Sequence, residues 1–105
     1  MGFIRKMVAK DIRARLKKCQ PYFIEKELLP NLYFKEEECD KLLDDNGNKR
    51  DVEYWIVKYA FMRKLSDEAI GIRLGFESLT IYRRTLKFIE RNLAIIEEFL
   101  ARHDK

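Results

Sequence analysis

Two glycines, Gly71 and Gly75, interrupt a stretch of the chain whose apolar residues otherwise recur at helical spacing, LSDEAIGIRLGFESLTIYRRTLKFI over residues 65–89. Glycine in a helix interior costs about 1 kcal/mol relative to alanine, so two of them four residues apart indicate a special demand on the backbone. We expect Gly71 to face a second helix at close approach, and Gly75 to take the left-handed conformation that ends a helix. The stretch therefore predicts two helices joined by a tight turn.

The neighbouring residues supply the other parts of such a unit. Ser66 and Ser78 each predict a helix N-cap. The first helix is expected to end at Leu74-Gly75, and the second to run without Gly or Pro from Leu79 to about Arg102, as the longest helix of the chain. A small core between the two helices is predicted from four apolar positions: Ile70, Leu74, Phe76 and Ile81.

The rest of the chain also has helical spacing. An amphipathic N-terminal helix with a basic opposite face is predicted to end near Gln20-Pro21, and a short helix or irregular connection follows around the two prolines. Another helix is expected from about Lys35, ended by the Asn-Gly turn; a β-hairpin is disfavoured there because the flanks do not alternate apolar and polar residues. Asp51 is expected to cap a helix that runs to about Lys64. The apolar positions of the N-terminal helix are Phe3, Ile4, Met7, Val8, Ile12, Leu16 and Cys19.

These patterns predict an all-α fold in a single domain over residues 1–105. Residues 1–50 form an N-terminal helical part, and residues 51–105 form the helix-turn-helix part with its long C-terminal helix.

Charge and composition narrow the function classes. Residues 1–20 carry a net charge of +6, residues 21–50 of −3 and residues 51–105 of +1, so the basic charge is concentrated at the N-terminus. No apolar run is long enough to cross a membrane and the chain start does not resemble a signal peptide, so we expect a cytoplasmic protein. Cys19 and Cys39 lack metal-site spacing, and His103 is the only histidine. We expect no metal, no cofactor and no enzymatic activity.

The segment around the glycines resembles the helix-turn-helix of region 4 of sigma factors and of phage late-gene transcriptional regulators of the ArpU/RinA type. The shared features are the apolar-small pair Ile70-Gly71, the turn Leu74-Gly75, and the run from Thr80 to Arg84 (TIYRR) in the second helix. The resemblance covers about residues 52–92, with Gly71 in place of the commoner alanine. It implies a transcriptional regulator that binds double-stranded DNA.

Carried over from such proteins, the second helix would enter the major groove. Arg83 is the first candidate for a base contact, since its planar fork can bond guanine through two hydrogen bonds. Arg84, Lys87 and Arg91 are expected to lie toward phosphates or the helix flank, and the backbone amides near Ser66 could hold one phosphate. The predicted DNA-binding residues are Ser66, Glu77, Ser78, Thr80, Tyr82, Arg83, Arg84 and Lys87.

Two further surfaces are predicted. A heptad-like seam along the last helix, widened by a second apolar stripe, suggests a homodimer that presents two recognition helices. The alternative is that the N-terminal helix covers the second stripe within the monomer. The basic face of residues 5–18 is either a second DNA-contacting element or a solvated surface. The predicted dimer-interface residues are Leu86, Ile89, Leu93, Ile96 and Leu100.

Other functions remain open on sequence alone. The aromatic residues near the prolines either pack in the core or bind a partner such as RNA polymerase. The rivals to a DNA-binding regulator are a protein-interaction module that binds RNA polymerase or another regulator, and a phage packaging subunit. The aromatic residues concerned are Tyr22, Phe23, Tyr33, Phe34 and Trp55.

Overall fold

The computed structural model describes the backbone of residues 2–103 and the side chains of residues 8–103. Its helices follow in the order α1 (Gly2–Leu16), α2 (Pro21–Phe23), α3 (Val52–Val57), α4 (Asp67–Leu74), α5 (Ser78–Arg91) and α6 (Leu93–His103). Helix α2 continues into a π-helical turn (Ile24–Leu28) and a 3-10 turn (Leu29–Asn31), and α3 continues into a second π-helical turn (Lys58–Met62). The described backbone contains no β-strand, which confirms the predicted all-α fold.

Helix α5 lies at the centre of the fold, because α1, α3, α4 and α6 all pack against it. The core beneath it is made of aliphatic and aromatic side chains from every helix except the short α2. Phe88 and Phe99, on α5 and α6, are among the largest fully buried side chains. The predicted contributions of Phe3, Ile4 and Met7 lie outside the described side chains, as do the basic residues Arg5 and Lys6.

Helix α1 ends at Leu16, about one turn before the predicted end near Gln20-Pro21. Lys64, which has a left-handed φ of 58°, meets this helix end. Its ammonium group donates hydrogen bonds to the carbonyl oxygens of Leu16 (3.3 Å) and Cys19 (2.7 Å), and burial lowers its pKa. A lysine that binds the last carbonyls of a helix satisfies acceptors that have no partner within the helix.

Residues 32–51 form an irregular loop, so the helix predicted from about Lys35 is wrong. The loop folds back on itself: the Cys39 N–H donates to the Arg50 carbonyl oxygen at 2.9 Å, beside an isolated antiparallel bridge. The β-hairpin that the Asn-Gly pair suggested is therefore nearer to the structure than the predicted helix.

The tip of this loop contains the predicted turn. The Asp44 carboxylate accepts hydrogen bonds from the backbone N–H groups of Asn46 and Asn48, both at 2.9 Å. Gly47 between them has φ +79°, a conformation that glycine adopts without strain. Asp44 thus closes the turn with its side chain. Within the segment predicted as a helix, the Cys39 N–H and the Glu37 carbonyl oxygen bond across the loop to Arg50 and Val52 instead.

Asp51 occupies the N-cap position of α3 as predicted, but its side chain does not cap that helix. Its Oδ1 instead accepts a hydrogen bond from the Glu37 N–H at 3.0 Å, across the loop. The helical segment ends at Met62, close to the predicted end at Lys64.

The helix predicted from Leu79 to about Arg102 is divided at Asn92, where φ and ψ are −109° and 23°. The buried Asn92 side chain holds the loop: Oδ1 accepts from the Tyr33 N–H at 2.7 Å, and Nδ2 donates to the carbonyl oxygens of Tyr33 (2.9 Å) and Phe88 (3.1 Å). At 14 residues, α5 is shorter than the 15-residue α1, so the longest helix is at the N-terminus.

Candidate nucleic-acid interface

The segment from Ser66 to Phe76 has the capped helix and tight turn that the sequence predicts. The Ser66 Oγ accepts a hydrogen bond from the Ala69 N–H at 3.1 Å, which confirms the N-cap of α4. Gly75 ends the helix with φ +82°, and the N–H groups of Gly75 and Phe76 donate to the Gly71 carbonyl oxygen at 2.8 and 2.9 Å. Left-handed glycine with this bonding is a common helix ending.

Gly71 meets the turn itself rather than a side chain of the second helix. A Cβ atom at this position would overlap the carbonyl oxygen of Phe76 and lie 3.3 Å from its carbonyl carbon. The glycine therefore lets the turn fold tightly back against α4. The predicted small core is confirmed, with Ile70, Leu74 and Ile81 buried and Phe76 packed beside them.

Helix α5 begins one residue before the predicted start. Glu77 occupies its N-cap position with an extended backbone and Ser78 is the first helical residue, so the predicted cap at Ser78 is wrong. Ser78 is consequently an exposed side chain at the leading end of α5.

One face of α5 points away from the core. Leu79, Arg83 and Lys87 are exposed, and their four-residue spacing places them in a row along the helix. Leu79 is one of five large apolar residues that stay exposed among the described side chains, at 51%. Neither Arg83 nor Lys87 forms an ion pair with any residue from 8 to 103. We call this row the α5 stripe.

The other predicted DNA-binding residues divide by exposure. Ser66 and Glu77 are exposed, at the N-caps of α4 and α5. Thr80 and Tyr82 are half-buried on the flanks of the α5 stripe. The tyrosine ring packs beneath the guanidinium of Arg13, which lies 5.1 Å from the ring centroid.

Arg84, expected toward a phosphate or the helix flank, forms an ion pair within the protein. Its guanidinium binds both carboxylate oxygens of Glu37, with Nη1 at 3.3 Å from Oε2, and lies 5.1 Å from the centre of the Phe76 ring. The hydrogen bond from Arg84 lowers the pKa of the Glu37 carboxyl. This pair attaches the loop to the flank of α5.

Arg91, for which the same two positions are expected, is engaged in the same way. It donates two hydrogen bonds to the buried Glu53 carboxylate, at 2.6 and 3.0 Å, and these bonds raise the pKa of Arg91. The Lys35 N–H donates to the same carboxylate at 2.7 Å. Neither glutamate could be recognised from the sequence, because the positions of charges along the chain do not show which of them meet across a loop.

The basic face of α1 is only partly free. Arg13 forms an ion pair with Asp67 at 2.6 Å, and Lys17 donates to the Leu65 carbonyl oxygen at 3.4 Å. Burial, with a further contribution from the charge of Arg13, lowers the pKa of Lys17. Lys10, by contrast, is exposed and forms no ion pair with the residues that the structure describes.

Lys10 lies next to the α5 stripe. Together with Leu79, Tyr82, Arg83 and Lys87 it lines a shallow depression of about 310 Å³, so apolar side chains and three cations share one lining. Glu90 lines the same depression. A lining that combines apolar surface with an excess of cations is suited to a partner that is anionic and also has apolar surface.

The predicted dimer seam lies in the core of the monomer. Helix α1 packs against both α5 and α6, which is the alternative in which the N-terminal helix covers the apolar surface. Four of the five seam residues are buried and the fifth, Leu93, is half-buried, so no exposed seam remains for a second subunit. The four buried residues are Leu86, Ile89, Ile96 and Leu100.

The aromatic residues near the prolines divide between core and surface. Trp55 is buried, and Phe34 stacks on Phe88 with ring centroids 5.7 Å apart. Tyr22 and Tyr33 remain exposed, at 62% and 69%.

No family model, curated protein or solved structure matches this chain. None of the helices within residues 2–103 is long and apolar enough to cross a bilayer. The histidine, cysteine and acidic residues in the described part of the chain do not gather into a group that could hold a metal ion.

Proposed function

We propose that the chain is a sequence-specific DNA-binding transcriptional regulator, of the kind that its resemblance to sigma region 4 and phage regulators implies. Helix α5 enters the major groove, and the α5 stripe faces the base pairs and the flanking phosphates. The observation that carries the proposal concerns Arg83 and Lys87, on the exposed face of the helix that follows the Gly75 turn: neither has an ion-pair partner among residues 8–103.

The contrast among the basic residues supports this assignment. Arg13, Arg84 and Arg91 each bind a carboxylate of the protein, so their charge is used within the fold. Lys10, Arg83 and Lys87 border one depression and have no such partner among the described residues. Their charge exceeds that of Glu90, the acidic residue of the same depression, and phosphates that approach would reduce the repulsion among them.

The roles of the three residues differ. Arg83, one turn into α5, is placed for bidentate contact with a base edge, whereas Lys10 and Lys87 on either side contact phosphates. Two phosphate contacts predict that the logarithm of the affinity falls with the logarithm of the salt concentration with a slope of about −1.8.

Fluorescence anisotropy of a labelled duplex across a salt series tests this proposal. Lys87→Gln is expected to bring the slope close to about −0.9, while Arg83→Ala removes preference among sequences at a cost of about 1–3 kcal/mol. Lys49→Gln is the matched control, because Lys49 is paired with Asp40 in the loop at 3.1 Å. No binding at low salt, or equal effects of the two lysine substitutions, contradicts the proposal.

A protein-interaction module is the second candidate, favoured by the loop side of the molecule. Residues 21–50 carry a net charge of −3, and three of the five exposed large apolar residues lie there: Tyr22, Tyr33 and Leu43. A partner such as RNA polymerase, another regulator or packaging machinery would bind this side. Duplex binding would then be absent or insensitive to Arg83→Ala.

A further inference from the structure

The exposed leucine at the start of α5 carries an inference that deepens the proposed function and rests on it. Leu79 is the second residue of α5 and is 51% exposed, whereas Ile81 two residues later is fully buried. About half of the Leu79 surface is therefore left for a partner to cover.

The position of Leu79 relative to the unpaired cations indicates what that partner surface is. It precedes Arg83 by one helical turn in the α5 stripe, and its side chain lines the depression that Lys10 and Lys87 border. When phosphates hold these cations, Leu79 faces the floor of the groove. The apolar group that a base pair presents in the major groove is the 5-methyl group of thymine.

We propose that Leu79 is a specificity-determining residue that packs on a thymine methyl group in the recognised site, next to the base contacted by Arg83. Ser78 and Glu77, which precede it, are polar and exposed, so the leucine supplies the apolar contact at the leading end of the helix. The recognised site accordingly contains at least one thymine whose methyl group contributes to affinity.

Replacement of thymine by deoxyuridine tests this contact, because it removes the methyl group and leaves every hydrogen-bonding group in place. The binding site is first selected from a pool of random duplexes, and each thymine is then replaced in turn. For the wild-type protein, one replacement is expected to weaken binding about fourfold, as follows from about 0.8 kcal/mol per buried methyl-sized group. For Leu79→Ala, the thymine and deoxyuridine duplexes are expected to bind equally.

Ile72→Ala is the matched control, since Ile72 is another exposed apolar residue, at 76%, on α4. This variant should keep the fourfold preference for thymine. Circular dichroism of each variant shows whether the fold is retained, and truncating an exposed side chain should leave it intact.

The outcomes separate this inference from the function on which it rests. If the protein binds duplex selectively but Leu79→Ala keeps the wild-type preference for thymine, the inference is overturned and the proposed function still stands. A protein that binds no duplex at low salt overturns both. Loss of the thymine preference in Leu79→Ala alone supports the contact.

Discussion

Substitution of Asn92 should lower the free energy of unfolding markedly. The residue is 1% exposed, and it divides α5 from α6 while its side chain bonds both backbone polar groups of Tyr33. The same residue thus ends a helix and anchors the first residues of the loop. We predict that its removal destabilises the loop and the helix junction together.

The magnitude of this loss follows from the hydrogen bonds. Asn92→Ala leaves the Tyr33 N–H and carbonyl oxygen without their partners, whereas the Phe88 carbonyl oxygen still accepts the backbone N–H of residue 92. Two lost hydrogen bonds at about 1 kcal/mol each, with some cost for leaving sheltered groups unpaired, give a loss of about 2–3 kcal/mol. Domains of this size are stable by about 5–15 kcal/mol, so the loss is readily measured.

Asn92→Asp makes a sharper test. It keeps an oxygen that can accept from the Tyr33 N–H, but it replaces the Nδ2 donor by a second oxygen. A carboxylate there would face two carbonyl oxygens in a buried site, and burial raises the pKa of such a group above its unfolded value of about 3.9. A raised pKa favours the protonated form in the folded state. The variant should therefore be less stable than Asn92→Ala at pH 7, and this deficit should shrink as the pH falls towards 4.

Urea unfolding followed by circular dichroism at pH 7 and at pH 4 gives both comparisons. Asn48→Ala, an exposed position in the loop tip, is the control and should change the free energy of unfolding by less than about 0.5 kcal/mol. A loss below about 0.5 kcal/mol for Asn92→Ala, or an aspartate variant as stable as the alanine variant at pH 7, would refute this account of the junction.

Three further predictions concern the residues around α5. Arg91→Ala should lower the free energy of unfolding by about 2 kcal/mol or more, because it leaves the buried Glu53 carboxylate without its counter-charge. Arg83→Ala, at an exposed position, should change the free energy of unfolding by less than about 0.5 kcal/mol, and chemical denaturation compares the two variants. Gly75→Ala should cost about 1–2 kcal/mol, since the residue has φ +82°, and an unchanged melting curve would contradict this. The pKa of Glu37 is lower in the folded than in the unfolded state. The stability that ionised Glu37 contributes is therefore complete above the unfolded pKa and is lost as the pH falls through the folded pKa. Glu37→Gln should accordingly reduce the fall in the free energy of unfolding at acid pH.

Local signals in the sequence were sufficient to predict α4 and the turn that follows it. Ser66 and Gly75 act through backbone groups within a few residues of them, so their roles follow from residue type and spacing. The loop of residues 32–51 was not predictable in this way. Its apolar spacing is helical, but Asp44 and the pairing with Arg50 determine its conformation.

The candidate interface was predictable only as a set of residue types. The sequence placed Arg83, Arg84 and Lys87 on one helix, but it gave no sign that Glu37 binds the middle one. The seam along α5 and α6 has the same spacing whether a second subunit or α1 covers it, and only the packing of α1 decides between them. Contacts between distant parts of the chain therefore decide which cations form ion pairs within the fold and which have no ion-pair partner among the described residues.

A titration of the isotopically labelled protein with a duplex, followed by NMR, tests the central claim most directly. The account predicts that the amide signals that shift, and whose shifts diminish with added salt, belong to the first three turns of α5 and to the neighbourhood of Lys10. Shifts confined to the loop of residues 32–51, or no shifts at low salt, would contradict it.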